Sequence, residues 1–363
     1  MEELVPIYLY IPVHYIVMLL VVLLTFAQSQ SNRMDSDSNF RYMKGMGVVY
    51  FLFVVLFMGL RPVSGSYFGD MSTYRDYFNH YANGGEIFSR VDLLFHLYTQ
   101  ACSKVLSLHT YFLLCATIYM WPLVLVSKKW FKDYWFYGFL FLVTSFSFWT
   151  YGTNGIRNGM AGSLLLLGIS RDKRLWQVVL IVLAVSFHKS MVLPAAAFVF
   201  ANFYNNPKKL MYLWLLCIPA SLVAGGAFES FFATLGFDDD RINYLTQTVD
   251  ATQFENTGFR WDFLLYSATG VFAGWFYIFK RNYKDKVYFW LFNTYILTNA
   301  FWILVIRANY SNRFAYLSWF MISLVIVYPL LKQYIIAKQH KKIGLILLAY
   351  FSFTLFMNLL LII

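Results

Sequence analysis

The chain has 363 residues, of which 60% are hydrophobic, 21% aromatic and only 13% charged, with a mean hydropathy of +0.55. That composition excludes a soluble globular domain and leaves an all-α polytopic integral membrane protein. The formal net charge of +11 lies mostly in connecting segments, which ties it to membrane orientation rather than to nucleic acid.

In chain order, the first apolar stretch covers about 5–27. It has Glu2 and Glu3 in place of a basic flank and is too long for a cleaved signal, so it reads as a retained span with its N-terminus outside. A second stretch, 46–60, ends at Arg61 and opens a long outer loop, 61–90, "RPVSGSYFGDMSTYRDYFNHYANGGEIFSR". The segment 88–107, "FSRVDLLFHLYTQACSKVLS", mixes charges into an apolar pattern and predicts an amphipathic helix at the interface, so the first outer region runs over 61–107. Further spans are expected at 109–126, 134–151, 157–170, 175–188, 190–204 and 210–228. A second large outer loop follows at 229–260, and the last spans fall at 261–279, 287–306, 314–331 and 343–362. This makes about twelve spans at the roughly 20 residues a crossing requires. Neither linker nor internal repeat interrupts the run, so 1–363 reads as one helical domain.

With that topology, 19 of the 29 basic residues fall in inner loops, as 14 Lys and 5 Arg. The outer ten invert the choice, with Arg61, Arg75, Arg90, Arg157, Arg241, Arg260, Arg307 and Arg313 against only Lys104 and Lys189. Orientation by positive charge explains the inner lysines and predicts few outer cations of either kind. Guanidinium groups bind phosphate bidentately, which is a physical reason to prefer arginine where an anion is held.

The central run "YGTNGIRNGMAGSLLLLGISRDKR" places Arg157 at the mouth of an apolar helix. Arg157 to Arg171 and Arg174 to His188 are each 14 residues, roughly 21 Å of helix at about 1.5 Å per residue. Against a hydrocarbon core of about 30 Å, equal spacings put Arg157 and His188 at a similar depth below the outer surface, on consecutive helices. Thr153 or Asn154 is expected to cap the helix, adding its dipole to the arginine charge. A snorkelling Arg157, and a Gly155/Gly159 pair that merely lets helices approach, is the competing account. His188 is a candidate proton carrier with Lys189 beside it, and Asp70, in "YFGDMSTY", is the second candidate base.

Both outer loops mix charged residues with aromatics, a composition suited to carbohydrate and equally to an interfacial aromatic belt. Cys102, Cys115 and Cys217 are isolated in apolar segments, and Asp238–Asp240 read as a solvated acidic turn. The chain carries no zinc, nucleotide or dinucleotide motif.

In "GLRPVSGSYFGDMSTYRDYF", "NGIRNGMAGSLLLLGISRDKRLWQVVLIVLAVSFHKSMVLP" and "NRFAYLSWF" the chain resembles the EpsG-type exopolysaccharide and O-antigen polymerases, the Wzy-like membrane proteins of bacteria. The central block, an arginine opening one span and a histidine ending the next, is its most specific part. One departure is Gly69-Asp70, nine residues after Arg61, where that family often has Gly-Thr-Asp sooner.

The resemblance implies a GT-C-like membrane glycosyltransferase of the bacterial inner membrane, polymerising undecaprenyl-pyrophosphate-linked oligosaccharide at the periplasmic face. It implies no cofactor and no metal, membrane lipids as surroundings, and a chain-length regulator as partner. His188 and Asp70 would then be catalytic, with Arg61, Arg157, Arg313, Arg75, Lys189 and Arg307 holding substrate. The rival readings are a flippase or transporter of the same lipid-linked sugars, an O-antigen ligase, and a noncatalytic scaffold.

Overall fold

The apolar runs fold as helices, and among the described residues every regular element is helical. The computed structural model describes residues 5–234, 258–308 and 310–360. Asp238–Asp240, Arg241 and most of the second outer loop lie outside the described residues.

Among the described residues eight helical stretches, not the expected twelve, are long and apolar enough to cross a membrane: Ile7–Ser31, Asp37–Gly59, Leu108–Val143, Pro207–Phe232, Trp261–Lys280, Lys286–Leu304, Ser311–Lys332 and Gln339–Asn358. Three expected spans are the shorter apolar helices Ile156–Ile169, Arg174–Phe187 and Lys189–Phe203. A helix of 14 residues reaches about 21 Å, less than the thickness of a bilayer core. The expected span at 134–151 is instead a broken segment, with helices at Trp135–Val143 and Phe148–Thr153. The break has a local cause. The Thr144 hydroxyl turns back to the carbonyls of Leu140 and Phe141, at 2.8 and 3.3 Å, while its own carbonyl accepts the Thr354 hydroxyl at 2.9 Å.

The helices gather into two compact units, Met1–His188 with Leu330–Ile363, and Lys189–Pro329. The first contains α1 (Tyr10–Ser31), α2 (Asp37–Gly59), α3 (Gly65–Phe68), α4 (Met71–Ala82), α5 (Leu93–Ser103), α6 (Leu108–Phe131), α7 (Trp135–Val143), α8 (Phe148–Thr153), α9 (Ile156–Ile169) and α10 (Arg174–Phe187). The C-terminal helix of the chain, Gln339–Leu360, packs against α1 in the same unit.

Helix α6 is the core of this unit, packing on α2, α7 and α9 and burying Tyr111, Phe112, Cys115 and Met120. All nine residues of α7 are buried, as a helix apolar on every side requires. The α9–α10 hairpin places the start of α9 beside the end of α10.

The region expected to be outer, 61–107, is folded. Ser64 caps α3 by accepting the Tyr67 N–H, and α4 and α5 form a helical hairpin. Helix α5 buries Phe95, His96, Thr99 and Cys102 and exposes Leu93 and Leu97, so the expected amphipathic segment is a helix of 11 residues.

The second unit contains α11 (Val192–Phe203), α12 (Pro207–Thr234), α13 (Trp261–Trp275), α14 (Lys286–Leu304), α15 (Ser311–Trp319) and α16 (Ile322–Lys332) as far as Pro329. Buried Asn299 on α14 holds it together: its amide donates to Ser267 at 3.0 Å and Ser318 at 2.9 Å and its oxygen accepts Trp214 Nε1–H at 2.7 Å. Hydrogen bonds of this kind join helices where burial of apolar surface gives no net drive in lipid.

Candidate functional site

Everything that marks the site converges on the break between α8 and α9. Neither Thr153 nor Asn154 caps α9, contrary to the sequence expectation, because both side chains are engaged elsewhere. The Thr153 hydroxyl bonds back to Trp149 at 2.8 Å, the Asn154 oxygen accepts the Asp70 N–H at 2.8 Å, and the cap position falls to Gly155. Gly159 lets the two helices fold tightly together, since a Cβ there would lie 2.4 Å from the Tyr151 carbonyl oxygen.

Two segments of the first outer region dock on this break. Arg61 is only 1% exposed, with its guanidinium over the rings of Phe68 and Phe112. It donates to the Met58 carbonyl, and through Nη2 to the Thr153 carbonyl at 2.9 Å. Gly69 has φ +54°, and any side chain there would meet Asn154 Oδ1 at 2.5 Å. Asp70 thereby reaches Asn154 through its backbone.

One turn further on, Arg157 Nη1 donates to Asp92 Oδ2 at 2.8 Å. His188 Nδ1 lies 2.7 Å from the same oxygen. The side chains of Asp92, His188 and Arg157 are 1%, 8% and 19% exposed. An ionised carboxylate only accepts, so the imidazole gives it Nδ1–H and keeps the lone pair of its neutral form on Nε2. A buried carboxylate is costly unless paired and hydrogen-bonded, and here a guanidinium and an imidazole share that task. Asp92 itself has φ +56°, a conformation sparse for non-glycine residues that concentrates at functional sites.

The rings of Tyr74 and Phe95 flank Arg157, with its guanidinium carbon 6.0 and 5.8 Å from their centroids. Burial raises the Tyr74 hydroxyl above its usual pKa, and the Arg157 charge partly offsets this.

Of the remaining sequence candidates, Arg75 belongs to the first unit and Lys189, Arg307 and Arg313 to the second. Arg75 is half-exposed on α4 and donates from Nε to its neighbour Asp76 at 2.9 Å. Lys189 begins the short helical turn Lys189–Met191. Exposed Arg307 reaches the Leu222 carbonyl at 3.4 Å, and Arg313 lies in the first turn of α15 with its guanidinium carbon 5.1 Å from the Tyr310 ring centroid. Among the described residues no three His, Cys, Asp or Glu side chains gather as for a metal ion.

Asp92 and Tyr74 were missed by sequence reasoning. Asp92 did carry a signal, a lone acid embedded in "FSRVDLLF" at the start of an otherwise apolar helical pattern.

The model of the EpsG family matches this chain over residues 45–362. No curated protein and no solved structure matches it.

Proposed function

The chain belongs to the EpsG family, and from that premise we propose that it is a polysaccharide polymerase acting on lipid-linked sugars. The observation that carries the reading is the pair of donors, Arg157 and His188, on one oxygen of buried Asp92.

The reaction is transfer of a glycan from an undecaprenyl-pyrophosphate carrier to a hydroxyl of an incoming lipid-linked repeat unit. The acceptor oxygen forms a bond to the anomeric carbon, and the bond from that carbon to the pyrophosphate oxygen breaks with its electron pair leaving on the phosphate. His188 Nε2 takes the hydroxyl proton. Asp92 fixes the ring and its tautomer and stabilises the imidazolium as it forms, a division of labour general to acid–base catalysis. Arg157 shares the same carboxylate and offers a cation to the departing pyrophosphate. Arg75, on α4 of the same unit, is a further cation for the donor. Arg61, whose Nη1 and Nη2 donate to two carbonyls, positions the α8–α9 break, and Asp70 anchors the loop that covers it.

The arginine bias of the outer loops supports a periplasm-facing site in the inner membrane. The test is purified protein given lipid-linked repeat units, with products resolved by length. A ladder is expected. Transfer only to a different acceptor would make the protein a ligase, and movement of unextended units across the bilayer would make it a transporter.

A further inference from the structure

The α4–α5 hairpin carries a second group of side chains that the transfer step does not use. Tyr74, Tyr77 and Tyr81 stand three and four residues apart on α4, the spacing that puts side chains on one face of a helix. Tyr74 touches Arg157, Tyr77 packs against His96 at 5.1 Å between centroids, and Tyr81 shares a 2.9 Å hydrogen bond with His96 Nδ1. The row ends at Phe88, 56% exposed, with Tyr77 at 5.4 Å, Tyr81 at 5.8 Å and the His80 ring stacked at 4.0 Å and 26°. This exposed ring is held in place: its N–H donates to the Tyr81 hydroxyl at 3.4 Å, and His80 Nε2 bonds the Glu86 carbonyl at 2.9 Å.

We propose that Phe88, His80 and Tyr77 form a platform for the pyranose rings of the substrate glycan, leading away from the Asp92 site. The inference rests on the polymerase reading for its occupant. Three observations carry it. An exposed aromatic fixed by three other rings offers a rigid apolar face, and the C–H-lined face of a pyranose complements the negative face of an aromatic ring. Asp76, Glu86 and Arg90 are exposed around it, and carboxylate and guanidinium groups bind sugar hydroxyls while disfavouring insertion of the patch into lipid. The platform is also continuous with the site, since from Tyr74 to Tyr81 the helix rises about 10 Å, room for sugars next to the reacting one.

The experiment uses full-length protein in nanodiscs and, as probe, the repeat-unit oligosaccharide released from the polysaccharide of the producing cells. Saturation-transfer NMR reads binding, and the gel ladder reads chain length. Phe88→Ala is expected to weaken oligosaccharide binding at least tenfold and to shorten the ladder; Phe88→Trp is expected to restore both. Unchanged binding in Phe88→Ala, or quenching of Phe88→Trp fluorescence by brominated lipid, overturns the platform and makes the ring a membrane contact. Should the wild type bind the oligosaccharide through Phe88 yet make no ladder, the polymerase reading fails and the platform stands.

Discussion

His188 Nδ1 lies 2.7 Å from Asp92 Oδ2 across 96 residues of chain. That single contact orients the imidazole of a histidine at a helix end, because the carboxylate decides which ring nitrogen carries the proton. Replacing Asp92 with asparagine keeps the size but presents an amide that can donate to Nδ1 and so favours the wrong tautomer. Asp92→Asn is therefore expected to lower the transfer rate by about a hundredfold to ten-thousandfold. Single-turnover transfer from a purified lipid-linked donor, at matched protein abundance, checks this.

Arg157 reaches the same oxygen by Nη1 between two aromatic rings. Lysine has neither the planar fork nor the reach across those rings. Arg157→Lys is expected to lose about tenfold to a hundredfold or more in transfer, from one charge-assisted contact of roughly 1.5–3 kcal/mol. The variant should still insert in the membrane, which abundance in the membrane fraction reports. Full-rate transfer by Arg157→Lys would show that charge alone suffices.

Arg61 is expected to act on stability more than on donor affinity. Truncation leaves the Met58 and Thr153 carbonyls without their buried donor, at a cost on the order of 2–5 kcal/mol. Arg61→Ala should unfold at lower temperature in detergent, while the fraction that remains folded binds the donor as the wild type does. A large loss of donor affinity with unchanged thermal stability would place Arg61 on the substrate instead.

The expected topology rests on the lysine-rich loops. Cysteines placed at Lys209 or Lys284 should resist an impermeant reagent added outside intact cells, whereas one placed at Asn83 should label. The three native cysteines are buried and give little background. Labelling of either inner position from outside would reverse the orientation and remove the periplasmic site.

Much of this was legible because helix geometry is periodic. The 14-residue spacings on either side of Arg171 and Arg174 place Arg157 and His188 at matching ends of two helices, and α9 and α10 have that length and pairing. Span counting went wrong where hydropathy cannot see a turn: 134–151 is apolar enough on average to read as one span, but a threonine hydroxyl and one cross-helix hydrogen bond break it. Capping by Thr153 or Asn154 failed for a similar reason, since a distant backbone N–H at Asp70 claims the asparagine oxygen. Asp92 was hidden because its role depends on a tertiary contact 65 and 96 residues away, whereas Asp70 lay in a conspicuous motif and meets the site only through its backbone. The arginines expected on the outer side looked alike in sequence. Burial separates them, leaving Arg61 on carbonyls, Arg157 on a carboxylate, Arg75 half-exposed on Asp76 and Arg307 exposed.

The central claim is that His188, held by Asp92, is the base for glycan transfer. Its most direct measurement is the product ladder from lipid-linked repeat units with purified wild type and His188→Ala, at equal protein concentration and with donor binding measured alongside. The account predicts a ladder for the wild type and none for His188→Ala, with donor binding retained. A normal ladder from His188→Ala would contradict it, leaving the Asp92 cluster as a structural link between helices.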